Sequence, residues 1–353
     1  MPFETSVPAP IPEPEAIRKK PRRVWLFAPY VILALLLAGW GAYWFVARAR
    51  LERGLDAQTE ALRGAGYVVE MDGRKVEGFP FRMKISLAQA RIAAPSGWSI
   101  SLPGLTGEAY LHGLDHWVLV APQGMSINRP LGGGLSVRGE ALRASIAGVS
   151  QNPWRIVLQG TKLVFTPDPG ARPFSLASAE RIELYLKPMP TGADGATLLR
   201  LEGGKATRDA ILHRLVGDGA VTATFDARLT HPEAFHGKDW GEAVRTWTAA
   251  GGTATEVEGT ISGAAASAKT KGGTLGAGAD GRLVGALPLE LHQAGPALAA
   301  LADANALEPG AAGSAAAVAA ARAQGQAANI NLVFQAGATT LGPVRIGPAP
   351  KVD

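Results

Sequence analysis

The chain changes its hydrophobic period twice. Residues Val24 to Ala47 read VWLFAPYVILALLLAGWGAYWFVA, 24 residues without a charge. About 20 apolar residues suffice to cross a hydrocarbon core, so this run predicts a transmembrane helix. Trp25 and Tyr30 stand near one end and Trp40, Tyr43 and Trp44 near the other, as in interfacial aromatic belts. Pro29 falls in the first turns, where a missing N–H costs little. From Arg48 to Gly66 the spacing of Leu51, Leu55 and Leu62 stays helical but charges intervene, which predicts a juxtamembrane helix over residues 48–66 that stops at Gly64 and Gly66.

After Gly66 the period becomes two. Phe81, Met83, Ile85 and Leu87 alternate with Arg82, Lys84 and Ser86, and Trp98, Ile100 and Leu102 alternate again beyond a turn at Pro95-Ser96-Gly97. Strands are expected at Tyr67–Met71, His116–Ala121, Leu135–Val137, Leu142–Ala147, Arg155–Thr166, Ile182–Leu186, Leu198–Glu202, Val221–Leu229, Thr253–Ser262, Thr274–Gly276, Leu283–Leu291 and Ile330–Gln335. Asp72-Gly73 and Asp280-Gly281 are hairpin signals, and Gly337 marks another turn. Helices are expected at Asp209–Val216, at Pro232–Ala250 with Trp240, Val244 and Trp247 covering a sheet face, at Gln293–Leu307, and at the Ala-rich stretch Ala312–Gly325, a surface helix or a partly disordered segment.

Sequential strands with short turns give a mainly β fold: one membrane helix, then a large curved antiparallel β-sheet, a groove or half-barrel, with a few covering helices. Gly (44) and Pro (25) make up nearly a fifth of the 353 residues, which agrees with many turns. The domain plan is a disordered basic tail at 1–23, the membrane helix at 24–47, the juxtamembrane helix at 48–66 and a β-rich domain at 67–353.

Charge sets the orientation. The formal net charge is +5, and Arg18, Lys19, Lys20, Arg22 and Arg23 precede the helix without an acid among them. Arg48, Arg50 and Arg53 follow it, diluted by Glu52 and Asp56. This bias favours a cytoplasmic N-terminus. The alternative, a cleaved signal peptide ending near Ala47-Arg48-Ala49, fits badly because the apolar run is too long. A basic strip beside a membrane reads as topology and lipid head-group contact rather than nucleic-acid binding.

Candidate chemistry is sparse. Without cysteine there are no disulfides, thiol nucleophiles or Cys-based metal sites. His112 and His116 are four apart, but Gly113 and the strand pattern argue against a zinc helix, and His231 and His236 flank a helix start. Gly132-Gly133-Gly134 lacks the Lys-Ser/Thr of a phosphate loop and reads as a turn. No catalytic residue, cofactor or metal is therefore expected, nor an enzyme. Arg82 and Lys84, like Arg138 and Arg143, read as the solvated face of a half-covered sheet.

The most individual segment is Gly78-Phe-Pro-Phe-Arg82. Pro80 cannot donate to a ladder and marks a strand start. Phe79, Pro80, Phe81, Met83, Ile85 and Leu87 are the candidate structural or lipid-facing residues. Together with Gly66-Tyr67, Pro95-Ser-Gly-Trp98, Ala121-Pro-Gln-Gly124 and the terminal Thr340-Leu-Gly-Pro-Val-Arg-Ile-Gly-Pro-Ala-Pro350, this segment resembles a family of bacterial envelope proteins described only as a domain of unknown function. More distantly, the layout is similar to AsmA-like envelope proteins, which implies a groove on the periplasmic side and a role in phospholipid handling or envelope homeostasis. The resemblance implies a bacterial inner-membrane protein with its bulk in the periplasm. The partners expected are the bilayer, a phospholipid and other envelope proteins. The alternative function is a membrane-tethered scaffold that binds envelope proteins through open strand edges.

Overall fold

The computed structural model describes residues 24–148, 155–190, 193–208, 210–237, 239–264, 266–303, 307–324 and 327–352. The expected tail at 1–23 lies outside them.

Helix α1 runs unbroken from Val24 to Gly64, 41 residues, or about 60 Å at 1.5 Å per residue. Its first half is long and apolar enough to cross a membrane, and it leaves Leu35, Leu36 and Leu37 exposed. Its second half is amphipathic. Trp44, Ala47 and Thr59 are buried, with Leu51 and Leu55 half-buried on the same stripe. The two expected helices are thus one element, because nothing between Ala47 and Arg48 breaks the backbone.

The sheet is an antiparallel meander in which chain neighbours pair. β1 (Val68–Asp72) and β2 (Lys75–Glu77) lie end to end along β3 (Arg82–Ala93). β4 (Ser99–Tyr110) follows. Two further rows are also split, β5 (His116–Val120) with β6 (Met125–Arg129), then β7 (Gly133–Arg138) with β8 (Ala141–Ala147). β9 (Arg155–Pro167), β10 (Leu176–Pro188), β11 (Gly195–Ala206), β12 (Val221–Leu229) and β13 (Ala254–Ser262) are continuous. β14 (Ser267–Lys271) and β15 (Thr274–Ala277) share one row beside β16 (Leu283–His292). The short β17 (Ala323–Gln324) flanks the start of β18 (Ala327–Gln335), and β19 (Ala338–Leu341) with β20 (Val344–Pro348) closes the chain as a hairpin.

The split of the first rows, from β1–β2 to β7–β8, has one cause, while β14 and β15 are parted separately at Gly272-Gly273. Gly73, Gly104, Gly124, Lys162 and Gly203 have φ of 63°, 82°, 83°, 48° and 57°. The registers carry this line across the sheet: Asp72 pairs Gln89, Gln89 pairs Pro103, Met125 pairs Val137, and Arg181 pairs both Thr161 and Glu202. Kinks of this kind bend strands and re-aim side chains. The sheet therefore folds along the line. Leu135, Val137 and Leu163 on one side close against Leu142 and the partly buried Ile182 and Leu201 on the other, with Phe174 packed in. Leu163 lies over Gly160, where a Cβ would come within 2.7 Å of its Cδ1. This line also corrects the reading of Asp72-Gly73: it is a kink inside one edge row, not a hairpin, because both halves pair the same strand β3. Asp280-Gly281 and Ala336-Gly337 do turn hairpins, β15 to β16 and β18 to β19.

Helices cap the ends. α2 (Ile211–Val216) and α3 (Trp240–Ala249) are shorter than expected, and Pro232–Ala234 forms a separate 3-10 turn. Trp247 packs on the turn at Gly252 and donates from Nε1 to the Thr230 carbonyl. Trp240 reaches the Val352 carbonyl, so the two Trp residues also tie down loops, while Val244 of the same helix is buried. α4 (Ala294–Asp303) and α5 (Ala311–Ala321) cover the last strands. The Ala-rich stretch is thus a packed helix and not a loose surface one. Ala315 and Ala319 are buried with Leu298, Ile330 and Leu341, and their small side chains let α5 sit close to the sheet. Both edges are blunted: Arg63 donates to the Val69 carbonyl and the Glu308 N–H to the Ile346 carbonyl.

Candidate apolar face and its membrane end

One face of the folded sheet is apolar across nearly all its strands. Cross-strand neighbours line it in rows. One runs Ala144, Leu158, Leu184, Leu199, Phe225 and Gly259 from β8 to β13. A second runs Leu142, Gly160, Ile182, Leu201, Ala223 and Ile261. The first row continues one way through Leu119 to Gly107 and Ile85, the other way through Thr270 to Leu289 and Ile330. The opposite face is polar in the same register: Arg143, Gln159, Glu183, Arg200, Thr224, Thr260, Lys269, Glu290 and Asn329 are successive neighbours. Glu183 is buried there, held by Gln159 at 3.4 Å and within 3.7 Å of both Arg181 and Arg200. The alternation of period two separates the two sides along this row, whereas the next row of the same face, Val118, Ser145, Val157, Tyr185, Leu198 and Asp226, is mixed.

Helices cover the apolar face at both ends, and Leu142, Ile182 and Leu201 of its second row are closed against Leu135, Val137 and Leu163; the first row is open between the helices. At one end Trp44 and Ala47 of α1 pack on Val76, Met83 and Leu111, with Ile85 and Trp117 beside them. At the other end α4 and α5 lie on Leu289, Ile330 and Leu332. In the middle, Leu158, Leu199 and Ile261 are 42%, 41% and 38% exposed, and Leu184 and Phe225 are half-buried. None of these five belongs to a helix-covered core among the described residues. Four strand-to-strand steps from Leu158 on β9 to Ile261 on β13 make this open stretch roughly 19 Å long.

The six residues singled out from sequence divide into two groups. Met83 is fully buried and Leu87 is buried; Ile85 is partly buried under α1. These three are closed core, not open wall. Phe79 and Phe81 are 58% and 66% exposed and lie against α1: the Phe79 ring is 5.6 Å from Trp44 and 6.3 Å from Phe45, and Phe81 is 6.3 Å from Trp40. Pro80 accepts a hydrogen bond from Trp40 Nε1 at 2.8 Å, and the Arg82 carbonyl accepts one from Trp44 Nε1 at 2.9 Å. The open middle row went unnoticed in sequence. Its signal was present in the alternation of Ile156 with Leu158, Leu184 with Leu186 and Leu199 with Leu201, but the register that aligns them is not.

His112, His116, His231 and His236 each take a separate partner group. His112 stacks on Tyr110 and His116 bonds Ser145 Oγ at 2.9 Å. His231 approaches Glu233 at 3.3 Å, and the His236 ring bonds the Glu233 carbonyl. Of Gly132-Gly133-Gly134 only Gly132 lies in the turn between β6 and β7; Gly133 and Gly134 open β7, paired with Arg129 and Asn128, and Arg129 donates to the Gly132 and Gly133 carbonyls. Among the described residues no group of three or more His, Asp or Glu is placed to hold a metal. The hydrogen bond that Arg74 donates to Asp56 holds its guanidinium above its usual pKa, and the bond to Asp194 does the same for Arg228; raised cations of this kind are poor bases at neutral pH. A hollow of about 380 Å³ on the polar face is lined by Arg143, Gln159, Arg181 and Glu183, groups that belong to the polar ladder.

Searches of the curated proteins and of the solved structures returned no match. A family model does match: residues 44–350, starting at the Trp44 that packs on the Gly78–Arg82 segment, fit the description "Uncharacterized protein conserved in bacteria (DUF2125)", and the chain belongs to that family.

Proposed function

We propose that this is a non-enzymatic, membrane-anchored protein of the bacterial envelope that holds phospholipid acyl chains on the apolar face of its sheet. α1 crosses the inner membrane with its N-terminus in the cytoplasm, and the β-rich domain stands in the periplasm. The observation that carries the reading is the open middle of that face. Leu158, Leu199 and Ile261 form an uncovered apolar strip roughly 19 Å long, comparable to an extended long acyl chain, between a helix-capped membrane end and a helix-capped far end. Uncovered apolar surface of this extent marks a binding face more often than a solvent face, and burying it is favourable by about 25 cal/mol per Å². The polar ladder on the other side keeps that surface water-soluble.

The scaffold alternative needs open edges for strand addition. At these edges the Val69 and Ile346 carbonyls are already taken, by Arg63 and by the Glu308 N–H.

The test is mass spectrometry of lipid carried by the full-length protein after extraction and delipidating washes. Wild type retains phospholipid at a fixed ratio. A Leu158→Glu, Leu199→Glu double variant with an unchanged unfolding midpoint loses it. Equal lipid in both, or none in the wild type, contradicts the proposal.

A further inference from the structure

We infer that the Gly78–Arg82 segment is a second membrane contact, with Phe79 and Phe81 inserted in the bilayer interface beside α1. This rests on the reading of α1 as a membrane-crossing helix. The last basic residue before the apolar run is Arg23 and the next charge is Arg48. A hydrocarbon core takes about 20 helical residues, so Trp40 to Phe45 lie at its far boundary, where aromatic residues collect. The segment is fastened at that height. Trp40 and Trp44 spend their indole N–H groups on the Pro80 and Arg82 carbonyls, and the Phe79 ring touches Gly41, where a Cβ would lie 3.8 Å from it.

Both Phe rings nevertheless stay more than half exposed, as do Phe45 beside Phe79 and the lipid-facing Leu35, Leu36 and Leu37. Their free surface is therefore continuous with the apolar surface of the helix, and the solvent that accommodates one accommodates the other. Immediately above, Arg82 lies over the Tyr110 ring at 5.3 Å and pairs with Glu108 at 3.5 Å, a polar layer at head-group level. The domain is thus held to the bilayer at two points, α1 and this loop, and the covered end of the apolar face is fixed at the membrane surface.

The chain has no cysteine, so single-cysteine variants of the full-length protein can be spin-labelled directly. We would place nitroxides at Leu36, Phe79, Phe81 and Leu131 in vesicles of phosphatidylethanolamine and phosphatidylglycerol, and compare collision with oxygen and with a water-soluble nickel chelate. Leu131, 82% exposed in a distant turn, reports water. The expected result is loss of nickel-chelate collision at Phe79 and Phe81 relative to Leu131, with Leu36 deeper still. A shielded Leu36 with water-accessible Phe79 and Phe81 overturns this inference and leaves the anchor intact. A water-accessible Leu36 overturns the anchor and the inference together. If the Phe variants fail to fold, the unsubstituted protein in the same vesicles carrying a photoactivatable acyl chain gives the answer: an adduct on the Phe79–Phe81 peptide supports insertion, and its absence alongside adducts on α1 contradicts it.

Discussion

At the scale of single residues, the fold depends on a few backbone positions that only glycine occupies without strain. Gly285 has φ of 131°, and a Cβ there would lie 2.0 Å from the Thr274 carbonyl oxygen. Replacing it requires β15 or β16 to move. Gly285→Ala is expected to lower the stability of the full-length protein by about 2–4 kcal/mol, read as a fall in the thermal unfolding midpoint. Gly170 is the internal comparison. Its φ is 82°, but nothing stands within 4 Å of a Cβ, so Gly170→Ala is expected to cost only about 1 kcal/mol. Equal effects at both sites would mean that φ alone, not the close approach, sets the cost. Charged residues act differently. Lys84 and Arg82 both lie on the polar side with Glu108, and such exposed pairs contribute at most about 1 kcal/mol each; they sort the two faces more than they hold them together.

Elements show what packing adds to propensity. α5 is built almost wholly of alanine, and its stability comes from contact, since an isolated helix of 11 residues is marginal in water. Ala315 is fully buried against the sheet. Ala315→Leu is expected to cost about 1–3 kcal/mol by overpacking and to lift α5 from β18–β20, so that hydrogen exchange rises there while β3 and β4 stay protected. Uniform change along the chain would contradict a local role for α5. This element also shows where sequence reading stops. Strands such as Arg155–Pro167 were legible because alternation persists over many residues. The packing of α5 was not, because alanine carries no facial pattern. Asp72-Gly73 misled for a related reason: a left-handed glycine serves a hairpin and an in-row kink equally well, and only the shared partner β3 tells them apart. The long apolar helix was legible, and its continuation to Gly64 partly so; that Trp44 would close over Met83 was not, since 38 residues separate Trp44 from the Arg82 carbonyl it binds.

At the scale of the whole molecule, a line of kinks folds a long meander, helices cap both ends, and an apolar strip is left open between them. The strip is a consequence of register: Leu158, Leu184 and Leu199 sit on three strands, and they meet only because β9, β10 and β11 pair without a slip between these residues. A shift of one residue in any of them would send its leucines to the polar face.

The central claim is that this strip holds acyl chains in the cell, and site-specific photo-crosslinking tests it most directly. A photoreactive residue at Leu199 of the full-length protein, expressed in growing bacteria, is expected to yield a phospholipid adduct. The same residue at Thr260, which is exposed on the opposite face, is expected to yield none. Lipid adducts at both positions, or a protein adduct without lipid at Leu199, would contradict the account.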